Sequence, residues 1–317
     1  MNKEVNIYDQ DLINYDNIID LWYSWLYSRI HYLIVKNVIM KYDTRMVLDI
    51  GCGTGFQSFL HSSFGSNVFG IDISKKMLSI AKNKTSIFHL NNFKLFPDEF
   101  NFVKKYNKII SLYLKNSKTK NFRKPNFLMA NLYDIPFQDQ TFDHINCCGS
   151  VLSLIDDTNT ALKEMSRVLK KGGTMFIEVE SKWTFDRLWS LLDSSIMNNK
   201  IGYYSNFKDD YSSTLFYPLK DSVINYPFGE YTKPIFIRLK LFNYITLKKE
   251  LSYHNLNVLK RWTIHSVTNF IPSVFLDTNN PSYFLQKIFN FLSLLEEKIP
   301  FYLPGCSMIL LLKKEIK

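Results

Sequence analysis

The sequence predicts an α/β fold built on a mostly parallel sheet with helices on its faces, and three observations carry that prediction. Val47, Leu48 and Ile50 form a branched apolar run, the mark of a strand buried on both faces, and Gly51, Gly53 and Gly55 follow it directly. A helical pattern begins near Gln57, so strand, glycine turn and helix come in succession. A second apolar run, Asn67 to Asp72, ends in an acid, and strand-like and helix-like segments then alternate as far as Glu180.

Length and composition agree with such a fold. The 317 residues exceed a usual single domain yet suit one α/β core carrying insertions. With 46% of residues hydrophobic, a large core can form. The formal charge of +10 is uneven, most of the excess falling between Lys82 and Pro125. Cys52, Cys147, Cys148 and Cys306 include no C-x-x-C pair, so neither a zinc frame nor a disulfide frame is offered; no metal and a reducing, cytoplasmic setting are expected. The N-terminal Met-Asn-Lys-Glu-Val-Asn lacks the layout of a signal peptide, and other apolar runs are too short or too charged to span a bilayer.

The first element, from about Tyr15 to Met40, repeats Ile18, Leu21, Trp22, Trp25, Leu26, Ile30, Leu33 and Ile34 near three-to-four spacing and predicts a helix packed on the core. The strand, glycine loop and helix after it make a nucleotide-sized site, because free N–H groups and a helix N-terminus face one cavity. The loop reads G-x-G-x-G, with Phe56 where a dinucleotide site has its third glycine, which argues against NAD and FAD. Asp49 stands immediately before the loop. Its charge would repel a pyrophosphate but suits a ligand carrying a sulfonium and an ammonium group, as S-adenosylmethionine (SAM) does. In this order Asp49 and Gly51, Cys52, Gly53 and Gly55 resemble motif I of the class I SAM-dependent methyltransferases.

Asp72 closes the second strand about 20 residues beyond the loop, where an acid accepts hydrogen bonds from ribose hydroxyls. Ile73 follows it, and Ser74 can start the next helix without its help. Val68 to Leu78 resembles the family's second motif. The segment 82–125 then sets eleven Lys and Arg against Asp98 and Glu99. Pro97-Asp-Glu opens a helix there, with Phe102, Tyr106, Ile109 and Tyr113 as its apolar face. Such a helix is either solvated surface over a core or a contact for nucleic acid or an anionic membrane, and the compositional bias toward Asn, Lys and Ile favours the surface.

A third strand near Asn126 to Ala130 leads into Asn131-Leu-Tyr-Asp-Ile-Pro-Phe137, similar to the family stretch that flanks adenine. Asn131 stands at the usual Asp position, offering an amide oxygen without charge, and Leu132 follows. Thr141 to Ser150 resembles the Phe-Asp turn and fourth strand, with Cys148 and Gly149 at its carboxyl end, where the reacting methyl is expected. His144 in this strand is read as packed. Cys-Cys-Gly-Ser is not the Asn/Asp-Pro-Pro-aromatic signature of adenine and amide N-methyltransferases of this fold. Glu164 to Gly173 predicts a helix with a glycine stop, and Thr174 to Glu180 a fifth strand. The resemblance thus spans roughly residues 45 to 180, and Ile135-Pro-Phe with Arg167-Val-Leu-Lys-Lys-Gly-Gly makes it similar to the small-molecule and quinone-type group.

The resemblance implies a Rossmann-like, seven-stranded, mostly parallel sheet flanked by helices, with inserted substrate-cover segments. It divides the chain into an N-terminal helical segment or lid (1–44), a SAM-binding core (45–180, with the basic insertion 82–125) and a C-terminal half of the sheet carrying the cover (181–317). It implies SAM as cofactor, held by Asp49, Gly51, Cys52, Gly53, Gly55, Asp72, Ile73, Asn131, Leu132, Cys148 and Gly149.

Beyond Glu180 we expect a helix from Trp183 to Ile196, an aromatic, turn-rich region from Gly202 to Lys233, and a strand from Pro234 to Phe242. A helix from Leu247 to Tyr253, a strand from Asn257 to Thr263, a helix from about Ser282 to Glu296 and a last strand from Met308 to Leu312 follow. Tyr203, Tyr204, Tyr217, Phe228 and Phe275 are candidates to enclose a planar or lipid-like acceptor. Methyl transfer is an in-line displacement, so positioning dominates; if a hydroxyl or acidic carbon is methylated, Glu180 and His265, each after a strand, are the candidate bases. The expected activity is methyl transfer to a small molecule, aromatic or isoprenoid. The alternatives are a tRNA-modifying methyltransferase, suggested by the basic segment, and a SAM-binding regulatory or scaffold protein without turnover.

Overall fold

The computed structural model describes residues 20–87, 99–116, 122–197, 220–228, 235–276, 280–298 and 303–316. Its strands are β1 (Met46–Ile50), β2 (Asn67–Asp72), β3 (Asn126–Met129), β4 (Phe142–Cys147), β5 (Leu169–Glu180), β6 (Ser222–Phe228), β7 (Ile235–Leu241), β8 (Leu256–Ile264) and β9 (Ser307–Lys314). Seven of them form one sheet in the order β3-β2-β1-β4-β5-β9-β8, while β6 and β7 pair as a separate antiparallel ribbon. β9 alone runs antiparallel to its neighbours β5 and β8. The chain steps outward from β1 to β3, then returns across β1 to β4, which sets Asp49 between Gly70 and Asn146 in register. At that reversal the carboxyl ends of adjacent strands part and leave a crevice.

The helices are α1 (Leu21–Ile34), prolonged by a π turn over Val35–Ile39, α2 (Phe56–Ser63), α3 (Lys75–Ile87), α4 (Asn101–Asn116), α5 (Val151–Leu154) and α6 (Thr158–Val168). After β5 come α7 (Phe185–Ser195), α8 (Tyr244–Tyr253), α9 (Ser273–Leu276) and α10 (Tyr283–Lys298). Two cores form because successive strand residues point to opposite faces. Ile309 and Leu311 of β9 join α1, α4 and α10 on one face, while Met308, Leu310 and Leu312 join α6 and α8 on the other. Trp25 of α1, fully buried, stands edge-on to Phe102 and Phe289, so one indole ties α4 and α10 to the N-terminal helix.

Three local expectations change. The N-terminal helix starts at Leu21, where the Asp20 carboxylate accepts the Tyr23 N–H at 2.7 Å; residues 15–19 lie outside the described residues. Gly172, at φ +72°, lies within β5 and does not stop the preceding helix. That helix ends at Val168 because the next residue, Leu169, is extended and already pairs with Phe142 of β4. The turn-rich region contains a strand, β6, which is paired along its length with β7. Tyr203, Tyr204 and Tyr217 lie outside the described residues, and Phe275 sits half-exposed on α9. Among the described residues no helix is long and apolar enough to cross a membrane.

The basic helix α4 buries Phe102, Val103, Tyr106 and Ile110 against α1 and α10. Its Tyr106 hydroxyl donates to Glu297, accepts from Arg29 at 3.0 Å, and lies beside a Lys105–Glu297 ion pair. Lys104, Lys108 and Lys115 remain on the solvent side.

Candidate active site

The glycine loop is shaped by close approach. Gly51 has φ +62°, and a Cβ there would lie 2.2 Å from Val151 at the start of α5. Gly55 has φ +92°, and a Cβ there would meet Phe59 at 2.9 Å and Phe127 at 3.0 Å. Any side chain at either position would push the loop off α5 or β3, while the positive φ itself strains every residue but glycine. The loop is held from below by Cys52 N–H to the Ile71 carbonyl (3.0 Å) and Gly55 N–H to the Cys52 carbonyl (2.8 Å).

Asp49 and Asp72 serve this loop differently. Asp49 is 1% exposed; its carboxylate accepts the Ser58 hydroxyl at 2.5 Å and the Asn146 amide at 2.9 Å. Burial pushes it up to about 6 against the pull of those two donors, so it carries its charge at neutral pH beneath the loop. Asp72 accepts Gly53 N–H on one oxygen and Ser74 N–H on the other, both at 2.8 Å. Ser74, not Asp72, caps α3, accepting the Met77 N–H on its hydroxyl at 3.2 Å.

A cavity of about 340 Å³ opens at the carboxyl ends of β1, β2 and β4. It brings together Gly51, Asp72, Ile73, Asn131, Leu132, Cys148 and Gly149, residues drawn from four separate stretches of sequence. Asp49, Cys52, Gly53 and Gly55 are not in its lining; they form and support the loop. The Asn131 amide oxygen accepts the Tyr133 N–H at 3.0 Å in an Asx turn, which spends part of its acceptor capacity. Met77, Tyr133, Val151 and the turn from Leu154 to Asp157 complete the wall and were not foreseen. The Tyr133 hydroxyl fixes that turn by accepting the N–H groups of Asp156 and Asp157, each at 3.1 Å. The one local sign was Asp157 before an apolar-periodic run, a helix start; its carboxylate caps α6 through the Thr160 N–H at 3.0 Å.

The two stretches that carried the resemblance to the quinone-type group form one device. Arg167 donates to the carbonyls of Ile135 (2.9 Å) and Phe137 (2.8 Å), and Glu164 pairs with Arg167 while accepting the Ile135 N–H at 3.0 Å. The Ile135-Pro136-Phe137 turn is thereby clamped to α6 just below the cavity. The Arg167 hydrogen bond holds the Glu164 carboxyl below its ordinary range.

The candidate bases part company. Glu180, half-buried at the end of β5, accepts the Ser150 hydroxyl at 2.6 Å, and burial with the neighbouring Glu178 pushes it up to about 8. Glu180 is itself outside the cavity lining, and its link to it is Ser150, which stands between Gly149 and Val151, both in the wall. His265 lies elsewhere: fully buried, stacked on Trp22 at 3.5 Å, with Nε2 3.1 Å from the Trp22 carbonyl and Nδ1 3.0 Å from the Thr268 hydroxyl. Burial drives its pKa down to about 3, and neither ring nitrogen faces the cavity. His144 is likewise packed, bonded through Nδ1 to the Thr174 hydroxyl at 2.8 Å. The four cysteines are free and buried, and burial pushes their thiols up, away from nucleophilic character.

Two family models, each described as a methyltransferase domain, match residues 43–111 and 108–177, which together contain β1 to β4 and the residues of the cavity wall. Residues 43–177 form a methyltransferase domain of the class I SAM-dependent type. A demethylmenaquinone methyltransferase of Staphylococcus aureus strain MRSA252 is 28% identical over 202 residues, covering 62% of this chain and 67% of the relative. The protein of that name from strain JH9 is 27% identical over 209 residues, covering 64% and 70%. Among solved structures, a SAM-dependent methyltransferase from Methanosarcina mazei superposes with a TM-score of 0.53 at 15% identity, over 89% of this chain and 98% of the other. The [4+2]-cyclase SpnF superposes with a TM-score of 0.50 at 16% identity, over 92% and 81%. That a protein named a cyclase shares the methyltransferase fold shows that the fold alone leaves the reaction open.

SAM is the methyltransferase's cofactor, and the cavity's chemistry fits it. Asp72 brings a carboxylate, an acceptor suited to hydroxyl donors, to the cavity wall. Ile73, Met77 and Leu132 give apolar walls to a flat ring beside it.

Proposed function

We propose that this methyltransferase acts on a small aromatic acceptor of the demethylated quinone type, with an isoprenoid or similarly apolar tail. The observation that carries this reading is the pair of relatives named for demethylmenaquinone, aligned over nearly two thirds of the chain. In this reading Asp72 binds the ribose hydroxyls, Ile73, Met77 and Leu132 flank the adenine, and Asn131 offers its amide to the adenine edge. Gly51, Cys148 and Gly149 border the methionine end, and Asp49 contributes negative charge from beneath the loop. Bound SAM supplies an electrophilic methyl on a sulfonium. The protein's part is to hold the acceptor in line with it and exclude water. Glu180 takes the proton that a hydroxyl or acidic carbon gives up as it is methylated.

The test is incubation of purified protein with methyl-labelled SAM and a demethylated naphthoquinol, in parallel with bulk tRNA. Label is expected in the quinol and absent from tRNA, with transfer lost in Asp72→Ala. Label in tRNA alone would replace this reading with the RNA-modifying one, for which the solvent-side lysines of α4 are the natural contact. SAM binding without transfer to any small molecule or RNA would make the chain a non-catalytic SAM-binding protein.

A further inference from the structure

Glu178 is a fully buried acid to which the reading above gives no task. One of its oxygens accepts the backbone N–H groups of Gly149 (2.9 Å) and Ser150 (2.6 Å), and the Ser307 side chain also bonds to it. The Ser150 hydroxyl, 3.4 Å from its other oxygen, points to Glu180 at 2.6 Å. Glu178 and Glu180 stand two apart on β5, so their side chains leave the sheet on the same face. That face meets the turn where Ser150 adopts φ +58° between two residues of the cavity wall.

Two carboxyl groups bridged by one serine share protons as a pair, because ionising both in a buried site sets like charges side by side. The donors decide which one holds the charge. Burial raises both carboxyls, but Glu178 receives two backbone N–H groups and a hydroxyl whereas Glu180 receives one hydroxyl, so this larger donor set favours the negative charge on Glu178 and the proton on Glu180. The neighbouring elements reinforce the assignment. Asp186 at the start of α7 adds negative charge, and the Cys306 thiol beside it is itself pushed up. The cations that follow β5, Lys182 and Arg187, donate to the Lys220 carbonyl (2.6 Å) and the Lys182 carbonyl (3.1 Å). α5 contributes only the Ser153 hydroxyl, which accepts the Glu180 N–H at 2.9 Å.

We propose that Glu178 is a positioning residue for methyl transfer, whose carboxylate, anchored on Gly149 and Ser150, sets through the Ser150 hydroxyl when Glu180 gives up its proton. The proposal rests on Glu180 as the acceptor's base. It joins the residues after β4 that line the cavity to the end of β5 in one hydrogen-bonded unit. Burial and Glu178 together push Glu180 up to about 8, where a base is only partly ionised at neutral pH and strong enough to take a proton.

Opposite shifts in two variants test this. In protein carrying ¹³C at the glutamate side-chain carboxyls, one resonance is expected to titrate near pH 8 and to vanish in Glu180→Gln. Glu178→Gln keeps an oxygen for both N–H groups but removes the charge, so that titration moves down by about one unit or more. Ser150→Ala removes the donor that favours ionised Glu180, so it moves up. A merely structural role for Glu178 gives no such opposed pair. An unmoved titration in a natively folded Glu178→Gln variant, judged by circular dichroism, or no glutamate titrating above neutrality, overturns the proposal. The titration needs no acceptor, so a failed quinol assay sinks the substrate reading alone. With an acceptor in hand, the acid limb of kcat/KM follows the same shifts.

Discussion

Two carboxylates organise two loops in this protein, one at each end of its long-range architecture. Asp72 holds the glycine loop through the Gly53 N–H, also accepts the N–H of Ser74 before α3, and faces a cavity. Glu296, on α10, accepts six donors: the Trp25 indole, the N–H groups of His265, Ser266, Val267 and Thr268, and the Thr268 hydroxyl. A carboxylate has about four lone-pair sites. Asp72 presents its carboxylate to a cavity, while Glu296 is spent on the fold. Proximity to a strand end therefore says little about function at either loop; what the carboxylate faces, a cavity or a closed set of backbone donors, separates a candidate ligand-binding acid from a buried clasp.

The sharpest way to break that comparison is to remove each acid. Glu296→Ala leaves several buried N–H groups unpaired, and a loss of about 3–5 kcal/mol in denaturant unfolding is expected. A loss below about 1 kcal/mol would mean the clasp is dispensable. A second effect on stability is acid sensitivity, from buried histidines at the clasp and elsewhere in the fold. His265, His31 and His61 are held down to about 3 by burial, and His144 is lowered as well. Their folded pKa lies below the unfolded value of about 6.5, so the unfolded chain binds protons first. Stability is complete above that value and falls as pH drops toward 3, by about 1.4 kcal/mol per unit for each such histidine, as urea titrations at stepped pH will show.

On the cofactor side, Asp72→Ala is expected to weaken SAM about tenfold or more by calorimetry, while costing under about 1 kcal/mol of stability. An equal loss of stability in the two alanine variants would erase the distinction between them. The smallest effect belongs to the solvent face of α4. Replacing Lys104, Lys108 and Lys115 by Gln should change stability by no more than about 0.5 kcal/mol and leave quinol methylation unaltered; lost retention on RNA would redirect attention to that face.

The cofactor half was legible because its signals are local. Glycines at positive φ, an acid closing a strand and a helix pattern after it lie within 25 residues of one another between Asp49 and Asp72. What stayed hidden depends on distant partners. Gly51 must be glycine because of Val151, about a hundred positions away, and the indole that meets Glu296 is 271 positions distant. His265 follows a strand just as Glu180 does, and nothing near it in sequence tells that Trp22 covers its ring. Glu178 was passed over because an acid in the middle of an apolar strand has no visible reason until the Gly149–Ser150 turn closes on it. β6 was missed because its partner, β7, is what makes an aromatic stretch into a strand.

The reversed strand β9 has a consequence for how the protein comes into being. β1 to β5 can pair with one another as soon as they emerge from the ribosome, since every partner precedes or closely follows. Among the described residues β8 has β9 as its sole neighbour in the sheet, and β9 is also what joins it to β5. A nascent chain stalled before residue 307 thus has the strands that form the crevice but an unzipped edge at β5, a surface ready to pair with the wrong strand until β9 arrives.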